Sequence, residues 1–77
     1  MTVLDLKIGE RARIAHLDLS SPHAKRLQEV GFVPGSLLLL LARAPLGEPL
    51  LLQLRMSTLM LRKNEAVAIH IKKENTP

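Results

Sequence analysis

Cysteine is absent from this 77-residue chain, which removes disulfide staples and thiolate metal ligands together and fits a reducing compartment. Tyrosine and tryptophan are absent too, leaving Phe32 as the sole residue of the Phe/Tyr/Trp class. Small β-folds that hold single-stranded nucleic acid stack bases on aromatic side chains, and this chain has no set of them to offer. The net charge of +4 does not restore that reading, because the basic residues fall in scattered pairs: Arg11/Arg13, Lys25/Arg26, Arg62/Lys63 and Lys72/Lys73. A charge of this size and distribution serves solubility, and no nucleic-acid partner is expected.

Long hydrophobic runs are also missing. A membrane span needs roughly 20 mostly apolar residues, yet the longest run here, Leu37 to Ala42, stops at Arg43. Arg43, Pro45, Gly47, Glu48 and Pro49 would all lie mid-bilayer if the surrounding stretch inserted, so a span is excluded. At the start of the chain, Asp5 and Lys7 interrupt the apolar stretch that a secretory leader requires, and no leader is expected. Catalytic constellations are lacking as well. Ser20, Ser21, Ser36 and Ser57 sit at caps and turns without nucleophile-elbow glycines, and the seven carboxylates show no paired arrangement. His16, His23 and His70 have neither i, i+4 spacing nor an adjacent acid, so no metal site and no cofactor are assigned. The glycines Gly31 and Gly35 are not followed by the Lys-Ser/Thr of a phosphate loop. The chain reads as a non-enzymatic interaction module.

What is present is a series of short β patterns with one helix. A chain of this size buries only about 60–65% of its unfolded surface, so its elements must share one core. Val3 to Ile8 alternates, with Leu4, Leu6 and Ile8 on one side, and Gly9-Glu10 follows as a turn. Arg11 to Leu17 reads as a strand with Ala12 and Ile14 inward. "SSPHAKRLQEVGF" predicts a helix with Ser20 or Ser21 as N-cap and Pro22 in the first turn, its apolar stripe being Ala24, Leu27 and Val30. Gly31 then supplies a left-handed stop and Phe32 folds back onto Leu27.

"VPGS" is a type II turn by composition and launches a strand over 36–43. A second leucine strand covers 50–55, with Leu50, Leu52 and Leu54 on one face. "RMST" turns the chain into a strand over 59–61, and "RKNE" is a short turn or a single helical turn. A strand over 67–72 closes the chain with Val67, Ile69 and Ile71 inward. The pattern predicts a mainly β domain over 1–73, a small bent barrel or sandwich of about five strands with one short inserted helix, followed by a frayed tail at 74–77.

Two features are left over. Leu37 through Leu41 are apolar on both faces of their strand, with Leu51, Met60 and Ala68 adding to the outward side. Either the inserted helix covers that face or it is a surface for a partner or for self-association. "PLGEP" is either a well-made hairpin loop or a preorganised mount for an apolar tip at Leu46.

"RLQEVGFVPGS", "ARAPLGEPL" and "LMLRKNEAVAIHI", in this order and spacing, resemble the bacterial ferrous-iron transport protein A (FeoA) family from about Leu4 to Ile71. The motif positions are Arg26, Leu27, Gly31, Pro34 and Gly35, then Ala44 to Pro49, then Leu61, Arg62, Glu65 and Ala66. "RMS" stands where many members carry a turn glycine, and Glu48 where Asp is common. The resemblance implies an SH3-like barrel. It also implies a cytoplasmic accessory role beside a membrane Fe²⁺ permease that carries a cytosolic GTP-binding domain, the chain reaching the membrane only through that partner. The candidate contacts are Pro45, Leu46, Gly47, Glu48 and Pro49, with Leu38 and Leu40 taken as outward leucines. The rival class is a regulator-associated or nucleic-acid-binding small barrel.

Overall fold

A computed structural model describes residues 1–74 of the chain. Its five strands are β1 (Arg11–Leu17), β2 (Leu37–Arg43), β3 (Leu50–Leu54), β4 (Ser57–Leu61) and β5 (Ile69–Lys73); helix α1 (Ala24–Val30) follows β1, and the single turn α2 (Lys63–Ala66) follows β4. The strands form one antiparallel sheet in the order β4-β3-β2-β1-β5. Leucine alternation places the core. Leu38 and Leu40 of β2 pair with Leu54 and Leu52 of β3, and all four are buried together with Leu50, Ile14, Ile69 and Ile71.

Two bulges bend the sheet around this core. Between Ile14 and His16 the β1–β5 register shifts, and between Leu40 and Ala42 the β2–β3 register shifts. An extra residue in one strand changes which face the following side chains take. In β1 the buried positions therefore run Ala12, Ile14 and then Leu17, while Ala15 and His16 face out. In β2 the same step leaves Leu41 exposed and brings Arg43 to a half-buried position.

Helix α1 stops where Gly31, at φ 120, turns the chain into the left-handed region. The amide of Gly31 donates to the Gln28 carbonyl at 3.1 Å and that of Phe32 to the Leu27 carbonyl at 3.0 Å. This pair of bonds is a Schellman stop, and it drives Phe32 into the core beside Leu27. Two residues on, Ser36 donates to the Val33 carbonyl at 3.1 Å with Gly35 at φ 90, closing the expected type II turn.

Several sequence expectations are corrected. Residues 3–8 are not a strand: Val3–Asp5 is a 3-10 turn, because Thr2 and Asp5 cap each other, the Thr2 amide donating to Asp5 Oδ2 at 2.8 Å and the Leu4 amide to Thr2 Oγ1 at 3.3 Å. The buried pair becomes Val3 and Leu6, while Ile8 faces solvent. The serines do not cap α1 directly. The Ser20 amide donates to Asp18 Oδ1 and the His23 amide to Ser21 Oγ, a sequence of side-chain turns that delays the helix to Ala24. Val30 lies outside the apolar stripe, which runs from Ala24 and Leu27 to Phe32.

Strand β4 begins at Ser57, because Arg55 and Met56 alone make the turn, with Arg55 at φ 55. An arginine thus holds a conformation that glycine favours, and its Nη2 donates to the buried Ser36 Oγ at 3.1 Å. Finally, α2 swings Val67 outward and Ala68 inward, reversing their expected faces before β5 begins. Of the tail placed at 74–77, Glu74 pairs with Arg13 at 3.2 Å; residues 75–77 lie outside the described residues.

Gly31→Ala tests the helix stop. Its added Cβ would meet only Leu54 Cδ2 at 3.5 Å, an ordinary contact, so the cost is conformational, about 1–2 kcal/mol. Thermal unfolding of the variant is expected about 4–8 °C lower for each kcal/mol lost.

Candidate functional site

The three sequence motifs meet at one groove of about 690 Å³. The loop supplies Glu48 and Pro49, the start of α1 supplies Arg26 with His23 just before it, and the end of β4 with α2 supplies Met60, Leu61, Arg62, Asn64 and Glu65. The loop is tied down at its base. Gly47 donates to the Ala44 carbonyl at 2.8 Å across Pro45 and Leu46, and Ala44 donates to the Pro49 carbonyl at 3.2 Å. The Glu48–Pro49 peptide is cis. Glu48 Oε1 accepts the Lys63 amide at 3.0 Å, so the loop caps the first turn of α2 from 15 residues away. The Lys63 side chain crosses above Gly47 so closely that a Cβ there would stand 3.0 Å from its Cε. Leu46 is left at the tip, 90% exposed.

Glu65 has a matching duty. Its Oε1 accepts the Arg62 amide at 2.9 Å, and its Oε2 stands 3.8 Å from Arg26 Nη1. Both groove carboxylates are therefore engaged with backbone amides, while the Arg26 and Arg62 guanidiniums line the opening. Most other motif residues build the fold. Leu27, Leu61 and Ala66 are core residues; Gly31, Pro34 and Gly35 make the helix stop and turn, and the Gly35 carbonyl accepts Arg13 Nη1 at 3.0 Å.

The second candidate surface is corrected. Leu38 and Leu40 are 1% and 0% exposed, so neither can meet a partner. The chain enters β2 from the Pro34-Gly35 turn on the opposite parity, and the outward set is Leu37, Leu39 and Leu41. With Leu51 and Met60 these form the apolar outer face, beside a shallow hollow of about 240 Å³ edged by Arg11, Gln53 and Arg55. Helix α1 turns Leu27 into the core and lays Gly31 against Leu54.

Three features escaped the sequence reading. Arg43 Nη2 donates to the carbonyls of Leu4 at 3.1 Å and Leu6 at 3.3 Å, pinning the opening turn over the end of the barrel. Arg55 reaches Ser36, as above. His16 and His70, 54 positions apart but cross-strand partners, stack with centroids 4.4 Å apart and planes 9° from parallel. The bulge before His16 sets that pairing, and no sequence signal announces it. Nitrogen lone pairs of parallel rings lie in separate planes, so the pair does not converge on one ion. Among the described residues no three His, Cys, Asp or Glu side chains gather into a metal-holding group, and no helix is long and apolar enough to cross a membrane.

Comparison with known proteins gives a family and a fold. The FeoA domain model matches residues 1–73. Iron(II) transport protein A from Clostridium thermocellum superposes with a TM-score of 0.87 at 34% identity over 95% of this chain, which spans 45% of that protein. A Stenotrophomonas maltophilia FeoA, solved with zinc and put forward as an SH3 domain protein activating ferrous-iron transport, gives 0.84 at 32% identity, covering 94% of this chain and 89% of its own. The FeoA protein of Chlorobium tepidum gives 0.84 at 33% identity, covering 95% of this chain and 70% of its own. No curated protein matches.

Two measurements check the local chemistry. Glu48→Ala removes the acceptor for the Lys63 amide and is expected to cost about 1 kcal/mol, read as a fall of roughly 4–8 °C in Tm; Glu48→Gln, which keeps an acceptor oxygen, costs less. Asp18 is held below the ordinary aspartate value of 3.8, first by the Ser20 hydroxyl and then by the Ser20 amide, with His70 and His16 adding less. A carboxyl depressed on folding stabilises fully above its unfolded value and loses that contribution as pH falls through the folded one. Unfolding followed down to acid pH is therefore expected to show a shallower acid limb in Asp18→Asn.

Proposed function

The chain belongs to the FeoA domain family, and on that premise we propose that it is a cytoplasmic accessory protein of bacterial ferrous-iron uptake. In this reading it binds the GTP-binding membrane Fe²⁺ permease and tunes its assembly or activity by protein contact. Iron is the permease's cargo and not a ligand of this chain. The observation that carries the reading is the mount of Leu46. An apolar tip stands in solvent on a loop whose base is bonded to itself and to α2. Such a tip loses little conformational freedom on docking, which is where preorganised contacts gain affinity.

Outward leucines Leu37, Leu39 and Leu41 offer a second apolar contact on the same molecule. Apolar docking of either kind responds weakly to salt, whereas phosphate binding by the scattered arginines would weaken steeply. The test is a titration of this chain against the permease's cytosolic domains, with GDP and with a non-hydrolysable GTP analogue, at two salt concentrations. Binding that persists at high salt is expected. Leu46→Asp is expected to weaken it by roughly thirtyfold or more, the ~2 kcal/mol of an interface anchor, with Tm unchanged. Full binding by that variant would remove the loop from the contact; salt-abolished binding would show the contact to be ionic and not apolar.

A further inference from the structure

Among the described residues the two edges of the sheet, at β5 and at β4, differ in their cover. β1, β2 and β3 are interior to the sheet, and the outer side of β5 is taken by the N-terminus, where Thr2 bridges His70 and the Ile71 amide donates to the Met1 carbonyl at 2.9 Å. β4 is different. It pairs with β3 in an unbroken register from Leu54–Ser57 to Leu50–Leu61. Because a two-residue turn closes the Leu54–Ser57 pair, hydrogen-bonded positions alternate from there. Ser57, Leu59 and Leu61 point their amides and carbonyls at β3, while Thr58 and Met60 point theirs away. Among the described residues no backbone bond reaches those outward groups.

Natural sheets protect an open edge with a lysine, a proline, a bulge or a covering segment. Ser57–Leu61 reads STLML and has no charge, no proline and no register shift. Thr58 and Met60 are also exposed as side chains, Met60 at 66%. The edge runs directly into the motif-lined groove, since Met60 and Leu61 belong to its wall. There Arg26, Arg62 and Lys63 stand against Glu48 and Glu65, with Arg26 Nη1 3.8 Å from Glu65 Oε2, so the side-chain charge around the groove is mixed with one positive charge in excess.

We propose that the outer edge of β4 is a strand-addition site for an extended, acidic segment of a partner protein. The segment pairs its backbone with Thr58 and Met60, sets carboxylates against Arg26 and Arg62, and lays the intervening apolar residues beside Met60. Main-chain bonds supply affinity in this mode and alternate side chains supply specificity. The charge of +4 on each molecule argues for an acidic segment and against a second copy of this chain on the same edge. The inference rests on reading the chain as a contact module and adds the surface and the partner's chemistry.

The test uses the full ¹⁵N-labelled chain and two capped peptides, one alternating glutamate with valine and one alternating lysine with valine. The acidic peptide is expected to shift the Thr58 and Met60 amide signals and to slow their solvent exchange, with the already bonded Leu59 amide little changed. The lysine peptide is expected to do neither. Thr58→Pro removes an outward N–H that β3 does not use, so the fold is kept and peptide binding is lost. R26E/R62E should reverse the preference toward the lysine peptide without touching the edge amides. Shifts confined to residues 45–49, no shift with either peptide, or protection of Thr58 and Met60 that grows with protein concentration alone would each overturn the proposal. None of these outcomes involves the permease, so the titration described above succeeds or fails separately.

Discussion

The pairing of β2 with β3 holds the rest of the molecule in place, and its leucines alone do not determine it. Leu38 opposite Leu54 and Leu40 opposite Leu52 fill the core. A slip of one residue in β2 would replace them with Leu37, Leu39 and Leu41, side chains of the same size and hydrophobicity. Register is strongly specified where one face is polar and weakly specified where both are apolar. Here the choice falls to groups at the two ends of the strand. At its start the Pro34-Gly35 turn, the Gly35 amide on the Ile14 carbonyl and the Arg55–Ser36 bond set the entry. At its end Arg43 grips the carbonyls of Leu4 and Leu6. Polar anchors thus select among apolar alternatives of nearly equal energy.

The same division of labour runs through the FeoA motifs. Leu27, Gly31, Pro34, Gly35, Leu61 and Ala66 are accounted for by packing and backbone geometry. Glu48 and Glu65 satisfy amides at the start of α2, and through them the loop, the helical turn and α1 are drawn around one groove. The residues with no structural duty are few. Leu46 and Met60 stand in solvent, with neither packing nor a hydrogen bond to account for them.

Much of this was legible in the residue order, for physical reasons that can be named. The type II turn, the Schellman stop, β1 and the Leu50/Leu52/Leu54 face each rest on local chemistry, and each came out as read. The errors fall where a distant or competing group decides. Residues 3–8 alternate like a strand, but the Thr2–Asp5 cap forms a tighter local structure. Leu38 and Leu40 lie inward although the sequence leaves their face open, because five successive leucines carry no parity. The early start of β4 was hidden because an arginine occupies a left-handed turn position in which glycine would have signalled the hairpin. The histidine stack depends on a bulge and on strands at opposite ends of the chain, and no window of sequence contains it.

Strand β5 closes the sheet against β1, so the barrel is completed only by its final strand. The β2–β3–β4 meander, by contrast, is built from contacts between near neighbours in sequence. Loop closure makes distant pairings slow relative to local ones. The leucine meander therefore pairs early in folding, while its core face still lacks Ile69 and Ile71. Until β5 docks, the folding chain presents apolar residues on both sides of a sheet, the state in which it is most open to association.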